Sequence, residues 1–426
     1  MSLEGFEVAV VGAGPAGSAA AITLAREGVQ VLLVERGSFP GAKNVFGGRI
    51  YSYALKRLMR ERWKEAPIER FIRKEAITFM ASENTFGVEF EVKDPTLSFT
   101  AIRAKFDKWL AGEAEKAGAS LINDSRIDDL IIEKGQVKGI VAGQDKIPTD
   151  TVIACDGTTT AMARKAGLAG NLEPQAISMG MKDVIELPSE KIEERLGLDP
   201  GEGAANVFVG SPTGGLRGGG FLYTNQDSLA LGMVVGADDV SMEKVPSHSL
   251  MEKLRAHPRI KRLTKEGVSV EYDAHMIPEA GPEMLSRPYT GGLLVAGDAA
   301  GHLLNNGYTF RGVDMAIVAG IAAAETFLEA RKRKDFSAAS LQSYEKKLRE
   351  EPSLRDMFTF KRVPGYLRNK RLYGLYPEII CSAAEAVYRV DGTSKKKIFN
   401  ELRGNTKGRI STLTLIRDLL AGARTF

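Results

Sequence analysis

Residues 6–35 read FEVAVVGAGPAGSAAAITLAREGVQVLLVE and decide the fold. An apolar, β-rich run over 6–11 leads into a glycine loop over 12–17. A helical stretch follows over 18–27, and a second apolar run spans 29–34. This order predicts a parallel β–α–β unit at the start of an α/β domain.

The loop has the spacing Gly12-x-Gly14-x-x-Gly17. Glycines at this spacing allow a tight turn, close approach of the backbone to a pyrophosphate, and close packing of helix on strand. The helix N-terminus then offers its free N–H groups to the phosphates. Glu35, at the end of the second strand, can accept hydrogen bonds from a ribose diol. The predicted dinucleotide-binding residues of this unit are Gly12, Ala13, Gly14, Pro15, Ala16, Gly17, Glu35 and Arg36.

A second strand, turn and helix lie far downstream. The run LLVAGD over 293–298 ends in Asp298, whose carboxylate can hydrogen-bond to a ribityl hydroxyl. A long helix is predicted over about 312–332, after Asn306 and Gly307. Its positive end suits the flavin N1/O2 edge, where charge builds up on reduction. Together with the first loop, this unit favours FAD over NAD.

The length of 426 residues predicts two or three domains. We expect residues 1–170 and 291–335 to form a Rossmann-like FAD-binding domain in two parts. The alternating strands of 171–290 predict an interleaved antiparallel sheet domain for the substrate, and residues 336–426 predict a mostly helical region. A hydrophobic content of 43% excludes intrinsic disorder.

The chain has only two cysteines. A disulfide framework is therefore excluded, and a reducing cytoplasm is the expected compartment. A cubane iron–sulfur cluster needs about four thiolates, so we expect none in this chain. The four histidines are scattered without ligand spacing, and no metal site is expected.

Charge is distributed unevenly along the chain. The whole chain has a formal net charge of +4, whereas the residues from 351 onward contain 15 Lys and Arg against 7 Asp and Glu. Such a basic end suggests an anionic partner, which is a membrane surface, an acidic protein or nucleic acid, although a solvated face explains it equally well. No DNA-binding motif accompanies the basic runs, so nucleic acid is not expected.

Several motifs together carry a family resemblance. The glycine loop with Glu35, the triplet Cys155-Asp156-Gly157 and the run LVAGDAAG over 294–301 resemble the aromatic-hydroxylase-type flavoprotein superfamily. The stretch RAKFDKWL over 103–110 is similar to the segment whose arginine contacts FAD in that superfamily, which points to Arg103.

Two further stretches resemble a branch of this superfamily, the FixC family of electron transfer flavoprotein–quinone oxidoreductases. They are KNVFGGRIY over 43–51 and GGFLYT over 219–224. Longer quinone oxidoreductases of this kind carry a cluster on C-terminal cysteines that this chain lacks. The resemblance adds to the predicted cofactor residues Asn44, Gly47, Gly48, Arg49, Arg103, Cys155, Asp156, Gly157, Gly297, Asp298, Asn306 and Gly307.

The resemblance implies electron transfer from an electron transfer flavoprotein pair of the FixA/FixB type, through noncovalent FAD, to a quinone. It implies a multi-subunit complex with a FixX-type ferredoxin-like protein, in which electron bifurcation is left open, on the inner face of the cell membrane. The flavin does the redox chemistry, so no catalytic nucleophile is needed. Tyr308, His302 and Tyr223 are candidate proton donors to the quinone. Residues 205–235, rich in glycine and apolar side chains, are the candidate quinone region.

Three alternatives stay open. A geranylgeranyl-type reductase shares the FAD scaffold and a membrane-borne substrate, and an FAD monooxygenase shares the scaffold. A flavin-binding scaffold that docks nucleic acid through its basic end is the third. Reduction of the flavin by NAD(P)H alone would separate the first two enzymes from the electron-transfer function.

Overall fold

The computed structural model describes residues 5–43, 48–170, 173–279, 284–285 and 287–426. The first of its sheets consists of β1 (Val8–Val11), β2 (Val31–Val34), β7 (Ser120–Ile122), β11 (Thr151–Ala154), β17 (Tyr289–Thr290) and β18 (Leu293–Val295). The strand order is β17-β18-β11-β1-β2-β7, and all pairs are parallel except β17 with β18. Every residue of β1, β2, β11 and β18 is buried, as expected for a parallel sheet covered on both faces.

A second sheet contains nine strands among the described residues. They are β3 (Arg49–Tyr51), β4 (Arg70–Met80), β5 (Thr85–Glu91), β6 (Ser98–Thr100), β12 (Ile177–Glu186), β13 (Glu202–Gly210), β14 (Gly218–Thr224), β15 (Ser228–Gly236) and β16 (Val268–Pro278). The order is β16-β12-β15-β14-β13-β4-β6-β3, with β5 on β4. The pairs are antiparallel except β13 with β4, which is parallel. Four of these strands come from residues 49–100, within the first predicted FAD segment.

Two small sheets complete the strands: β8 (Asp129–Glu133), β9 (Gln136–Ala142) and β10 (Asp145–Pro148) form one, and β19 (Leu304–Asn305) and β20 (Phe310–Arg311) the other. The helices are α1 (Pro15–Arg26), α2 (Ser52–Met59), α3 (Arg103–Lys116), α4 (Ala161–Lys165), α5 (Ser189–Leu196), α6 (Ala237–Met242), α7 (Ser247–Ala256), α8 (Pro258–Leu263), α9 (Val313–Arg333), α10 (Ala338–Leu341), α11 (Ser343–Glu350), α12 (Pro352–Thr359), α13 (Val363–Tyr366), α14 (Leu375–Tyr388), α15 (Ile398–Thr406) and α16 (Thr412–Ala423).

The first sheet is the middle layer of three. Helices α1, α3 and α9 pack on one face through small and branched apolar side chains, and the sheet β8–β10 covers the other. Helix α1 lies close to α9 because both are rich in small residues; a Cβ at Gly320 would sit 2.1 Å from the Ala16 carbonyl oxygen. One face of the second sheet packs on α5, α7 and α8.

The predicted α/β class is confirmed, with its Rossmann-like cofactor fold, second sheet and helical C-terminal region. The domain limits at residues 170, 290 and 335 stay a prediction. In the described part of the chain, no helix combines the length and the apolar composition that crossing a bilayer requires.

Candidate functional site

The glycine loop joins β1 to α1 and has little room for side chains. Gly12 has a φ of +99°, and a Cβ there would lie 2.3 Å from the Cys155 carbonyl oxygen. A Cβ at Gly17 would lie 1.9 Å from the Gly12 carbonyl oxygen. Gly14 differs, because a Cβ there meets no atom within 4 Å. Gly12 and Gly17 are therefore fixed by the protein's own packing, whereas Gly14 borders open space.

Glu35 closes this loop from the end of β2. Its Oε2 accepts a hydrogen bond from the Ala13 N–H (3.0 Å), and its Oε1 accepts one from the Gly37 N–H (2.7 Å). The carboxylate is thus held at the carboxyl edge of the sheet beside the start of α1. Two backbone bonds leave lone pairs on both oxygens, as a ribose-binding acid needs.

A cavity of about 470 Å³ lies at this edge, between the loop and the second sheet. Most of the predicted cofactor residues line it. They are Gly12, Gly14, Pro15, Ala16, Glu35, Arg36, Arg49, Arg103, Cys155, Asp156, Gly157, Gly297 and Asp298. Gly312 and Val313, at the N-terminus of α9, line it as well, so this helix directs its positive end at the cavity.

The charges on the cavity wall suit a pyrophosphate. Arg36, Lys43 and Arg164 line the cavity, and none of them has an ion-pair partner among the described residues. A pyrophosphate diester brings two negative charges to such a wall. Arg103 is different, because its guanidinium binds the Asp107 carboxylate through two hydrogen bonds of 2.9 and 2.8 Å.

Asp156 presents a polar atom to which no described residue forms a hydrogen bond. Its Oδ2 accepts a hydrogen bond from the Met162 N–H (3.1 Å), whereas its Oδ1 is buried without a hydrogen-bond partner. Burial raises the pKa of this carboxyl group, and the backbone hydrogen bonds lower it. An unpaired buried oxygen on a cavity wall is costly unless a ligand satisfies it. The loop, the cations and this oxygen all fit FAD.

Sequence reasoning found Asp298 but missed its neighbour His275. Both line the cavity, although His275 lies on β16 of the second sheet. Burial raises the pKa of Asp298, and the charges of His275 and Arg103 lower it. Burial lowers the pKa of His275, and Asp298 raises it. The available signal was the polar face of β16, where Glu271, Asp273 and His275 alternate along the strand.

A larger cavity of about 1010 Å³ adjoins the first. Its floor is the second sheet, including Val207, Phe221 and Val234, within the predicted quinone region. Its roof was not predicted and comes from the helical C-terminal region. Apolar roof residues are Met357, Phe360, Leu367, Leu372, Ile379, Ile380, Leu415, Leu419 and Phe426.

The two cavities meet at three described residues. Arg49, Leu303 and Phe310 line both of them. A ligand in the smaller cavity and a ligand in the larger one would therefore approach each other here, and Arg49 is the charged member of the three.

The remaining predicted residues are distributed differently. Tyr223, Tyr308, Asn306 and Gly307 line the larger cavity. Asn306 holds its own loop, since its Oδ1 accepts a hydrogen bond from the Thr309 N–H (2.7 Å). Ala13 and Gly17 shape the glycine loop from outside the cavity lining. Gly48 lines neither cavity, and Asn44 and Gly47 lie outside the described residues.

His302 lines neither cavity. It is buried, and its Nδ1 accepts a hydrogen bond from the Gly297 N–H (3.2 Å). Burial lowers its pKa to about 4, so the ring is neutral near pH 7.

Comparison with known proteins identifies the family. Residues 5–305 match the family described as FAD binding domain, and residues 363–426 match the ETF-QO/FixC family C-terminal domain. Protein FixC of Escherichia coli (strain K12) is 41% identical over 426 residues, which cover 99% of each chain. The chain belongs to the FixC family. This FixC-family protein is also 38% identical to the Escherichia coli (strain K12) protein named "Probable electron transfer flavoprotein-quinone oxidoreductase YdiS", over 99% of each chain.

The fold has solved relatives as well. A geranylgeranyl bacteriochlorophyll reductase-like structure from Thermoplasma acidophilum superposes with a TM-score of 0.74, over 97% of this chain and 99% of that one. The sequence identity is 22%, so this likeness concerns the fold alone. The family matches make this FixC-family protein an FAD-dependent electron-transfer oxidoreductase.

Proposed function

We propose that this FixC-family protein accepts electrons from a reduced electron transfer flavoprotein pair of the FixA/FixB type and passes them through FAD to a quinone. The meeting of the two cavities is the observation that carries the proposal. A flavin held by the loop, Glu35 and Asp298 would reach the junction at Arg49, and the larger, mostly apolar cavity suits a flat ring with an isoprenoid tail.

The redox reaction itself belongs to the flavin, which takes up and releases two electrons. The quinone becomes a quinol by gaining two electrons and two protons. Tyr223 and Tyr308 line the larger cavity, called the quinone cavity from here on, and are the candidates to relay those protons. Burial raises the pKa of Tyr223 to about 12, so its hydroxyl keeps its proton near pH 7 and can donate a hydrogen bond to a quinone oxygen.

A separate FixX-type ferredoxin-like subunit would hold the iron–sulfur cluster of such a complex. Support comes from the cysteines that are present: Cys155 lies at the FAD cavity, and Cys381 is buried on α14, where its thiol contacts the Phe79 carbonyl oxygen. Two thiolates are also fewer than the four that a cubane cluster needs.

Contact with the inner face of the membrane is part of the proposal. Helix α16 exposes the large apolar side chains Leu413, Ile416, Leu419 and Leu420, with Leu413 82% exposed. Leu419 also lines the quinone cavity, so this apolar surface adjoins the cavity wall. Basic residues of the same region, including Lys395, Lys396 and Lys397, would lie near anionic headgroups.

A stopped-flow experiment tests the function. The bound FAD is reduced anaerobically with dithionite in stoichiometric amount, and the protein is mixed with menadione. We expect the spectrum of oxidised flavin to return without oxygen, and NADH or NADPH alone not to reduce the flavin. Rapid reduction by NADPH with no reoxidation by menadione would favour a geranylgeranyl-type reductase or a monooxygenase instead.

A further inference from the structure

Arg49 is the charged residue among the three at the junction of the two cavities. Its partners there, Leu303 and Phe310, have no charge to offer. Of these three residues, only Arg49 can therefore stabilise negative charge that develops on a ligand where it meets FAD.

The Arg49 guanidinium is held firmly. Its two terminal nitrogens bind both oxygens of Glu75, one at 2.9 Å, and Nη2 also reaches the Ser98 hydroxyl at 3.3 Å. The guanidinium lies over the ring of Tyr51, 4.7 Å from its centre, and the side chain is 9% exposed. Two hydrogen bonds to one carboxylate and a stacked ring fix both the position and the plane of the cation.

We propose that Arg49 is a catalytic residue that touches both the flavin and the quinone, and that Glu75 is the positioning residue that aims it. The proposal rests on the quinone function above. Two-electron reduction of a quinone at this junction would place negative charge on a quinone oxygen before two protons complete the quinol. A fixed guanidinium stabilises that oxygen without reorganising. The same cation favours the reduced, more negative state of the flavin.

Charge substitutions separate this role from a structural one. Arg49→Met removes the cation and should move the midpoint potential of the bound FAD to a more negative value. Glu75→Gln removes the neutralising carboxylate and should move it to a more positive value. A purely structural pair would not give opposite signs, because both variants would only loosen the site.

Binding of a quinone is the second measurement. Menadione titrated into oxidised holoprotein perturbs the flavin absorbance, and Arg49→Met should weaken its binding by about tenfold or more, the effect of losing one charge-assisted hydrogen bond. Arg311→Met is the matched control. Arg311 stacks on the same Tyr51 ring at 5.6 Å and pairs with Asp314, yet it lines neither cavity. Arg311→Met should leave the midpoint potential of FAD and the binding of menadione unchanged.

The outcomes are distinct. An unchanged FAD potential and unchanged menadione binding in Arg49→Met would overturn the proposal, as would equal effects in Arg311→Met. A changed potential with unchanged menadione binding would overturn the contact with the quinone. If the wild-type protein binds and reduces no quinone, the proposed function fails, and the signs of the two potential shifts alone then decide whether Arg49 acts on the flavin.

Discussion

Gly14 and Gly17 belong to the same glycine motif, Gly14 as the N-cap of α1 and Gly17 in its first turn, but they face different surroundings. A methyl group at Gly14 meets only open space beside the FAD cavity, whereas one at Gly17 collides with the Gly12 carbonyl oxygen at 1.9 Å. We expect Gly14→Ala to leave the fold intact and to weaken FAD binding about tenfold or more, because the methyl group occupies space that the cofactor needs. Gly17→Ala should lower the free energy of unfolding itself by about 1–3 kcal/mol.

Two measurements distinguish these effects: FAD binding by fluorescence titration and urea unfolding of the FAD-free protein. The pair of variants serves as its own control, since both substitutions add one methyl group to the same glycine motif. Equal loss of stability in both variants would contradict the assignment of Gly14 to the cofactor.

The buried His302 should make the stability of the folded protein depend on pH. Burial holds its pKa near 4 in the folded protein, whereas an unfolded histidine titrates near 6.5. Below about pH 6.5 the unfolded chain therefore binds a proton that the folded protein excludes, and stability falls until about pH 4. The total loss is about 3 kcal/mol. His302→Asn keeps an acceptor for the Gly297 N–H but does not titrate, so its urea midpoint should fall less between pH 7 and pH 5.

His248 is the control for this measurement, because it is exposed on α7. His248→Asn should follow the wild-type pH dependence of stability. If His302→Asn also follows it, the buried ring is not the titrating group.

At the scale of single residues, sequence reasoning succeeded where a motif fixes spacing along the chain. Thirteen predicted cofactor residues line the FAD cavity, and eleven of them belong to the segments that follow β1, β2, β11 and β18, whose carboxyl ends meet at one edge of one sheet. His275 could not be found in that way. It enters the cavity from another sheet, and only the pairing of strands brings it near Asp298.

At the scale of elements, one carboxylate on α16 joins this helix to the segment over 369–376. Asp418 accepts hydrogen bonds from Arg371 (2.6 and 2.9 Å), Asn369 (3.0 Å) and Tyr376 (2.6 Å). These bonds hold the pKa of Asp418 well below its usual range. Asp418→Ala should lower the free energy of local unfolding of α16 by about 2–3 kcal/mol. We expect faster hydrogen exchange confined to α16 and weaker menadione binding, with FAD content unchanged.

Asp391→Ala offers a comparison, since this exposed carboxylate pairs with Arg389 and Thr393 outside the cavity. It should change neither hydrogen exchange in α16 nor menadione binding. Loss of FAD from Asp418→Ala would show that the helix supports the cofactor site as well.

Local sequence patterns predicted individual helices and strands better than they predicted which strands pair with each other. The long helix predicted over about 312–332 is confirmed as α9 (Val313–Arg333), because its apolar pattern lies within its own residues. The parallel pair of β4 with β13 was not expected, since more than 120 residues separate the registered partners Phe71 and Glu202. No local pattern encodes a pairing at that distance.

The molecule as a whole presents one surface that should bind lipid. Leu413, Ile416 and Leu420 project from α16 into solvent, and basic residues precede the helix. Replacing Leu413 and Leu420 with serine should reduce binding to vesicles that contain anionic phosphatidylglycerol by about tenfold or more, because two large apolar side chains no longer enter the interface. Vesicle cosedimentation measures the effect.

Replacement of Val268 and Val270 with serine is the matched control. These valines are 63% and 52% exposed, but they lie on β16 rather than on the C-terminal helices. Vesicle binding should be unchanged in this variant and should weaken with salt in the wild-type protein. Equal losses in both double variants would contradict a specific membrane face on α16.

The order of strands in the first sheet also governs how the chain is made. Strand β11 lies between β1 and β18, and β18 begins at Leu293, after about two-thirds of the sequence. During synthesis the glycine loop therefore emerges early, whereas Asp298 and the start of α9, which line the same cavity, are made much later. Until then the edge of β11 has unpaired N–H and C=O groups between apolar side chains, which makes the nascent chain prone to aggregation. The wall of the FAD cavity is complete only after this late strand has joined the sheet, because Gly297 and Asp298 line that cavity.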